Sequence, residues 1–183
     1  MISATRDGGS TWSTLTSSGI PDLYGIACPS VTTCFAGDTD PAGGIFATTD
    51  GGTTWSNQTL PLAATGFGGI ACPSVTTCFA VGSDSNGAAV ISATTDGGTT
   101  WSNQFTASAI VSFFGIACPS VTTCFAVGNI SSIAAEIIVT TNGGTTWSNQ
   151  IPPSGASFFN GIACPLRHSQ WQLLNLFHRQ LQS

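Results

Sequence analysis

Carboxylates recur in one repeated turn of this sequence, and a carboxylate can serve as a general acid, a general base or a cation ligand. The segment TTDGGTTWSNQ stands at residues 48–58 and again at 94–104, and it returns at 140–150 with Asn142 in place of the aspartate. An amide oxygen accepts the same hydrogen bonds as a carboxylate but cannot act as a general acid or base. Asn142 therefore favours a structural carboxylate, which accepts backbone amides in a turn whose two glycines supply positive φ. We call this segment the Gly-Gly turn.

Six of the seven cysteines form pairs that bracket a PSVTT turn with a spacing of six residues, namely Cys28 with Cys34, Cys72 with Cys78, and Cys118 with Cys124. Opposed positions on neighbouring antiparallel strands are close enough for a disulfide. Buried thiols and metal ligands are the alternatives, but zinc requires four ligands close together and each unit supplies two. We predict three disulfides, which favour an oxidising compartment. Cys164 is predicted to be a free thiol because its expected partner position holds Gln170.

Other reactive groups are few. With three arginines and no lysine, the chain lacks the positive charge that binds nucleic acid or an anionic membrane surface. No apolar stretch reaches the ~20 residues of a membrane helix, so we predict no membrane insertion. Both histidines lie in residues 166–183, which argues against a Ser-His-Asp catalytic set. We predict no metal site and no cofactor.

The spacing of the repeats identifies the elements that position these groups. Tryptophans stand at intervals of 43, 46 and 46 residues, and four of the cysteines stand at intervals of 44, 46 and 46. Each unit contains four short runs rich in Val, Ile, Phe and Thr, separated by turns, and no helical periodicity occurs before residue 166. Four strands per unit of this length predict an all-β fold, a β-propeller with one antiparallel blade per repeat.

The repeat does not divide the chain evenly. We predict a partial blade at 1–19 (third and fourth strands), complete blades at 20–60, 61–106 and 107–152, and the first strand of an incomplete blade at 153–165. Residues 166–183 depart in composition, and either a shifted reading frame or a short amphipathic helix would account for them. The sequence therefore resembles a fragment whose signal peptide is lost. We expect an open arc of blades that self-associates through unpaired edges.

The pattern T-x-D-G-G-x-T-W begins at Thr5, Thr48 and Thr94, and it begins again at Thr140 with Asn142 at the acidic position. It resembles the Asp-box, or BNR, repeat of the sialidase-like β-propeller superfamily. The GIAC and CFAVG segments resemble secreted bacterial repeat proteins and, more distantly, photosystem II assembly factors. The resemblance implies that each tryptophan buries its ring between sheets and that the motif is structural, at Asp7, Trp12, Asp50, Trp55, Asp96, Trp101, Asn142 and Trp147.

Sialidases use an arginine triad, a tyrosine paired with a glutamate as nucleophile, and an aspartate as the acid, and none of these groups can be placed in this sequence. Arg6 lies inside a Gly-Gly turn, and Arg167 and Arg179 lie in the aberrant tail. Tyr24 is the only tyrosine and Glu136 the only glutamate, and both occupy strand positions that other repeats fill with apolar residues. We therefore predict that the chain is not an enzyme, because a fold does not carry an activity with it.

An up-and-down blade places its PSVTT and Gly-Gly turns on one face, which we call the turn face. The opposite, variable face carries the links between blades and the middle loops at 37–44, 82–89 and 128–135, which differ among repeats. Binding usually resides in variable loops on a rigid scaffold. Candidate ligand-facing or cation-coordinating residues are Asp38, Asp40, Asp84 and Asn86, although such residues in short loops are more often turn formers. The phenylalanines of the links, Phe67, Phe105, Phe113, Phe114, Phe158 and Phe159, are predicted to pack between blades rather than to bind a ligand.

These features predict a function in binding. We expect a non-catalytic, secreted or cell-surface propeller that binds glycan or protein ligands or acts as a scaffold. The alternative is a fragment of a sialidase-like glycoside hydrolase whose catalytic residues lie in missing blades.

Overall fold

The computed structural model describes residues 2–5, 7–15, 23–39, 44–61, 64–106, 111–130 and 134–164. Within these residues the chain contains no helix, and its strands form three four-stranded antiparallel sheets and one two-stranded sheet. Accordingly, no helix of the described residues is long and apolar enough to cross a membrane. Asp40, the three arginines and the predicted tail at 166–183 lie outside the described residues.

Each four-stranded sheet follows the order of the sequence, with every neighbouring pair antiparallel. We call β1 and β2 the half blade and name the three following sheets the first, second and third blades. The half blade contains β1 (Ile2–Ala4) and β2 (Ser13–Leu15); the first blade β3 (Leu23–Ala27), β4 (Cys34–Asp38), β5 (Ile45–Thr48) and β6 (Ser56–Asn57); the second β7 (Ala64–Ala71), β8 (Cys78–Asp84), β9 (Ala89–Thr94) and β10 (Ser102–Thr106); and the third β11 (Val111–Ala117), β12 (Cys124–Ile130), β13 (Ala134–Thr140) and β14 (Ser148–Gln150). The predicted all-β class with four-stranded antiparallel blades is confirmed.

The core lies between the blades, because both faces of the central strands are covered. In β9, Val90 packs with Ile45 and Phe67 between the first and second blades. Its neighbour Ile91 points to the other side and packs with Phe113 of the third blade. Successive side chains of a strand alternate between its faces, so a strand that is buried along its whole length, such as AVISAT in β9, contributes to two cores at once.

The first strands of successive blades approach one another by their backbones. A Cβ at Gly25 would lie 2.6 Å from the carbonyl oxygen of Gly68, and a Cβ at Gly69 would lie 3.0 Å from that of Phe114. A Cβ at Gly115 would lie 2.9 Å from the Cα of Gly161. The glycine that begins the GIAC segment of each blade therefore allows the backbones of neighbouring first strands to lie close together, and any larger residue would push them apart.

The three predicted disulfides are present. Cys28–Cys34, Cys72–Cys78 and Cys118–Cys124 each join the first two strands of a blade, with Cα separations of 4.0 to 4.1 Å. Cys164 is a free, half-buried thiol, as predicted. A closed loop of this size stabilises its hairpin by about 2 kcal/mol through the lost entropy of the unfolded chain.

The first strand predicted within residues 153–165 is absent from the described part of this segment, because residues 151–164 contain no strand. In each blade the first strand is hydrogen-bonded to a second strand that begins Cys-Phe-Ala, and that sequence does not follow Cys164. Phe159 and Ile162 nevertheless pack against the third blade, and Gly161 lies against Gly115. The segment thus packs against the third blade where the first strand of a following blade would lie, but it does not form the hydrogen bonds of a strand.

Candidate functional site

The Gly-Gly turn is organised by a threonine and an acidic residue that bind one another. Thr94 Oγ1 donates to Asp96 Oδ1 at 2.8 Å and accepts the amide of Gly98 at 2.9 Å. Asp96 Oδ1 also accepts the amide of Thr100 at 2.9 Å, and Oδ2 accepts the Thr100 hydroxyl at 2.6 Å. The carboxylate oxygens are thus occupied within their own turn, and the turns at Asp7 and Asp50 repeat the same bonds.

These hydrogen bonds change the acidity of the aspartates. The hydroxyl of the threonine four residues later in each turn, and then the backbone N–H of that threonine, lower the pKa of Asp7, Asp50 and Asp96 from 3.8 to about 2. Hydrogen bonds to the charged form favour that form. A general acid at neutral pH requires the opposite shift, so the environment of these carboxylates is unsuited to proton donation.

Asn142 keeps the geometry of the turn with one bond reversed. Its Oδ1 accepts the Thr140 hydroxyl and the Thr146 amide, both at 2.9 Å. Its Nδ2 donates to Thr146 Oγ1 at 2.8 Å, where the aspartates accept the equivalent hydroxyl. A hydroxyl both donates and accepts, so an amide satisfies the turn as well as a carboxylate does.

The tryptophans that end the motif differ in burial: Trp101 is buried, Trp55 and Trp147 are half-buried, and Trp12 is exposed. Trp101 is 7% exposed and meets the ring of Phe35 edge-on, and Trp147 meets Phe79 in the same way. Trp12 is 65% exposed, so the predicted burial of its ring is wrong. The physical reason is that the described residues place no sheet in front of the half blade.

A backbone hydrogen bond joins the two turns of each blade. The amide of Gly51 donates to the carbonyl of Thr32 at 2.8 Å, and the amide of Gly97 donates to that of Thr76 at 2.9 Å. The third blade has the same bond between Gly143 and Thr122. The PSVTT and Gly-Gly turns therefore share one face, and the middle loops and links lie at the opposite ends of the strands.

On the variable face, the structure separates the predicted candidates. Asp84 Oδ1 accepts the amides of Asn86 at 2.8 Å and Ala88 at 2.9 Å, and the Ala88 amide is the main cause that lowers the pKa of Asp84. Asp38 is buried at the end of β4. Among the described residues no three His, Cys, Asp or Glu side chains form a metal-binding group. Asp84 thus acts as a turn former here.

The phenylalanines of the links divide into two sets. Phe67, Phe113 and Phe159 are buried between blades, and the half-buried Phe105 packs against Phe113, as predicted. Phe114 is 39% exposed and Phe158 is 45% exposed, and their rings lie 5.2 Å apart at an interplanar angle of 39°. These two rings form an exposed aromatic pair, which the sequence interpretation assigned to packing.

A shallow pocket of about 190 Å³ lies on the variable face and includes Phe114 in its wall. Thr39, Ser83 and Ser112 supply the hydroxyl groups of its lining. The other lining residues are Phe113 and three glycines, Gly66, Gly68 and Gly82. Gly68 occupies the strand position that holds Tyr24 in the first blade and Phe114 in the third. The sequence feature that could have indicated this pocket is Gly68, because it has no side chain at a position where the neighbouring blades have an aromatic ring.

Of the residues that a sialidase-like mechanism would use, the structure describes Tyr24 and Glu136, which lie in different blades. Tyr24 is exposed on β3, whereas Glu136 is buried on β13, where it replaces Val90 of the second blade. Burial raises the pKa of Glu136.

Comparison with known proteins supports the fold. No protein-family model matches the chain, and no curated protein matches it. Solved structures do match: a YCF48 structure with a bound D1 peptide has a TM-score of 0.57 at 19% identity, over 69% of this chain and 39% of that one. YCF48 from Cyanidioschyzon merolae gives 0.53 at 19% identity, with the same coverage of both chains. The GH74 enzyme of Niastella koreensis gives 0.55 at 15% identity, over 78% of this chain and 25% of that one.

These structures are β-propellers, and the predicted β-propeller fold is therefore confirmed. At these identities the likeness concerns the fold alone. The chain spans well under half the length of each similar structure.

Proposed function

We propose that the chain is a non-catalytic binding module of the Asp-box propeller type, which binds a polypeptide through its variable face. The observation that carries the proposal is the exposed pair of Phe114 and Phe158 beside a pocket lined by hydroxyl groups. Exposed aromatic rings next to hydrogen-bonding groups are typical of protein interaction surfaces. The neighbouring ring of Phe113 is buried, so the exposure of this pair is not a general property of the links.

A polypeptide is favoured over a glycan because one of the similar propellers holds a peptide, the YCF48 structure with its D1 peptide. The four Gly-Gly turns, in register along the chain and with the hydrogen bonds of a rigid turn, support the Asp-box assignment. On this proposal they hold the scaffold and take no part in binding. The three disulfides support an extracellular or cell-surface location.

The test uses the whole chain, kept under oxidising conditions. The immobilised protein is used to select from a displayed library of random peptides, and the labelled protein in solution is applied to a glycan array. We expect selective retention of peptides. The double variant Phe114→Ser/Phe158→Ser should weaken that binding at least tenfold, as is usual for central aromatic contacts. The matched control is Val121→Ser, because Val121 is 46% exposed on the turn face of the same blade. Selective glycan binding, or peptide binding that both variants retain, would contradict the proposal.

The glycoside hydrolase alternative is favoured only by the fold shared with a GH74 enzyme. Because its catalytic residues would lie in missing blades, it predicts hydrolysis of chromogenic glycosides only by a longer protein that includes those blades. We expect no such hydrolysis. Self-association through blade edges also stays a prediction, and light scattering over a range of concentrations measures it directly.

A further inference from the structure

In the first strand of every complete blade, the residue directly before the GIAC segment is an extra residue with no partner on the second strand. Tyr24 stands unpaired in this way between Leu23 and Gly25 of β3. Gly68 of β7 and Phe114 of β11 are the corresponding extra residues. A bulge of this kind bends its strand and re-aims the side chain of the extra residue. Tyr24 and Phe114 are both exposed, so the first and third blades present a ring at this position and the second blade presents none.

Gly68 has neither of the usual structural reasons for a glycine. It is not one of the glycines with a positive φ, so its backbone conformation is open to other residues. Among the described residues, a Cβ at Gly68 would meet only Cγ2 of Thr39, at 3.8 Å, which is an ordinary contact. By contrast, a Cβ at Gly69 would lie 3.0 Å from a backbone carbonyl oxygen of the third blade, and a Cβ at Gly82 would clash with the carbonyl oxygen of Gly66. The missing side chain of Gly68 therefore leaves a space that the packing of the blades does not require.

This space is part of the shallow pocket of about 190 Å³ on the variable face. Phe114 of the third blade lines one part of the pocket, and Thr39, which follows β4 of the first blade, lines another. Sites for drug-sized ligands have volumes of about 300 to 1,000 Å³, so this pocket has room for a single side chain. The three blades that line the pocket each have all four of their strands, so its shape is a property of complete blades.

The chemistry of the lining favours an aromatic side chain as the occupant. None of the lining residues carries a charge, so a charged side chain would lose its water without gaining a partner. Phe114 offers a ring, and two rings in an edge-on or offset arrangement attract one another by more than their buried area explains. Thr39 and Ser112 are exposed residues of the same lining, and their hydroxyl groups can bind the hydroxyl of a tyrosine, which needs a partner when it is buried.

We propose that this pocket binds the side chain of a phenylalanine or a tyrosine in the partner polypeptide, with the ring over Gly68. The ring of the partner then stands at the position that Tyr24 occupies in the first blade and Phe114 in the third. This inference rests on the proposed function, and it specifies what the variable face selects in a polypeptide. Phe114 belongs both to the pocket and to the exposed pair with Phe158, so one partner chain can contact both.

The first test uses the full chain under oxidising conditions and the peptides that it retains from the displayed random library. These peptides should contain a phenylalanine or a tyrosine whose replacement by leucine weakens binding at least tenfold, as is usual for a central aromatic contact. Gly68→Phe should weaken binding of the same peptides at least tenfold, because the variant fills the pocket with its own ring. Gly68→Ala is the matched control, and it should change binding by less than about threefold, because a methyl group fills little of the space.

The second test probes the pocket without a partner chain. N-acetyl-L-tyrosine amide is titrated into the isotopically labelled protein, and the backbone amide resonances of Gly66 and Gly82 should shift in a saturable way. N-acetyl-L-leucine amide should bind at least about threefold more weakly, because it offers no ring to Phe114. The shifts should be absent in Gly68→Phe, whose fold is checked by circular dichroism.

The two tests separate this inference from the proposed function. If the retained peptides bind equally well with leucine in place of each aromatic residue, or bind a folded Gly68→Phe as tightly as the wild type, the inference is overturned and the proposed function stands. If no peptide is retained, the proposed function is contradicted and the titration decides the inference alone. Equal affinity for the two amides, or no shift at Gly66 and Gly82, would overturn it. If Gly68→Phe does not fold, the leucine-substituted peptides and the two amides still decide the outcome.

Discussion

The ring of Phe35 in the first blade stands edge-on to the ring of Trp101 in the second, at a centroid distance of 5.9 Å. Both rings are almost fully buried, and the contact joins the second strand of one blade to the Gly-Gly turn of the next. The motif therefore acts between repeats as well as within one.

This relationship predicts a large difference between two equivalent tryptophans. Trp101→Ala removes a buried ring and leaves a cavity against Phe35, so we expect it to lower the free energy of unfolding by about 3 to 5 kcal/mol. Trp12→Ala is the matched control, because Trp12 is mostly exposed, and it should change stability by about 0.5 kcal/mol or less. Urea denaturation followed by circular dichroism measures both. Equal losses would show that the ring acts within its own turn.

Exchange of aspartate for asparagine in the Gly-Gly turn should be mild. Asp96→Asn can adopt the bonds that Asn142 makes, with the amide donating to the Thr100 hydroxyl as Asn142 donates to Thr146. Asp96→Ala loses all of them and should lower the midpoint of thermal unfolding clearly more. Calorimetry of the two variants gives the order directly. If Asp96→Asn abolished binding or activity in a folded protein, a structural role for the carboxylate would be wrong.

Acid should weaken the fold through the same carboxylates. Their folded pKa of about 2 lies below the ordinary 3.8, so their contribution is complete above about pH 4 and is lost as the pH falls toward 2. The double variant Asp50→Asn/Asp96→Asn should therefore lose less stability than the wild type over this range. Glu136, whose pKa is raised by burial, is present in both proteins and cancels in the comparison. Parallel pH profiles of the unfolding midpoint would contradict the expectation.

Thiol titration should find one free group in the unreduced, denatured chain and seven after reduction. The single group is Cys164, and the other six cysteines form the three disulfides. Burial raises the pKa of the Cys164 thiol, so in the folded protein it should react with an alkylating reagent more slowly than a small free thiol at the same pH. Seven free groups without reductant would contradict both the disulfides and the proposed compartment.

The close approach of the first strands of neighbouring blades predicts different effects on stability when two adjacent glycines are replaced. A Cβ at Gly69 would lie 3.0 Å from both the Phe114 carbonyl oxygen and Cγ2 of Val81, whereas a Cβ at Gly68 would meet only Cγ2 of Thr39, at 3.8 Å. We expect Gly69→Ala to destabilise the fold by about 1 to 3 kcal/mol, since backbone must shift. Gly68→Ala should be nearly neutral. Denaturant midpoints of the two variants compare them, and similar values would contradict the proposed packing of first strands.

The sequence by itself determined the blades, the disulfide pairs and the place of each turn. Turn-forming residues and the alternation of side chains along a strand are local properties of the sequence, and the repeats show the same local pattern several times. It also gave a sufficient reason for asparagine at position 142, because hydrogen-bond capacity is a property of the residue type.

Only the tertiary structure decided which members of a repeated set are buried. Trp12 and Trp101 end the same T-x-D-G-G-x-T-W motif, yet one is exposed and the other is covered by Phe35, because burial depends on the neighbouring blade. The exposed pair of Phe114 and Phe158 is likewise a contact between residues distant in the chain. A local pattern carries no information on whether the partner position of such a contact is occupied.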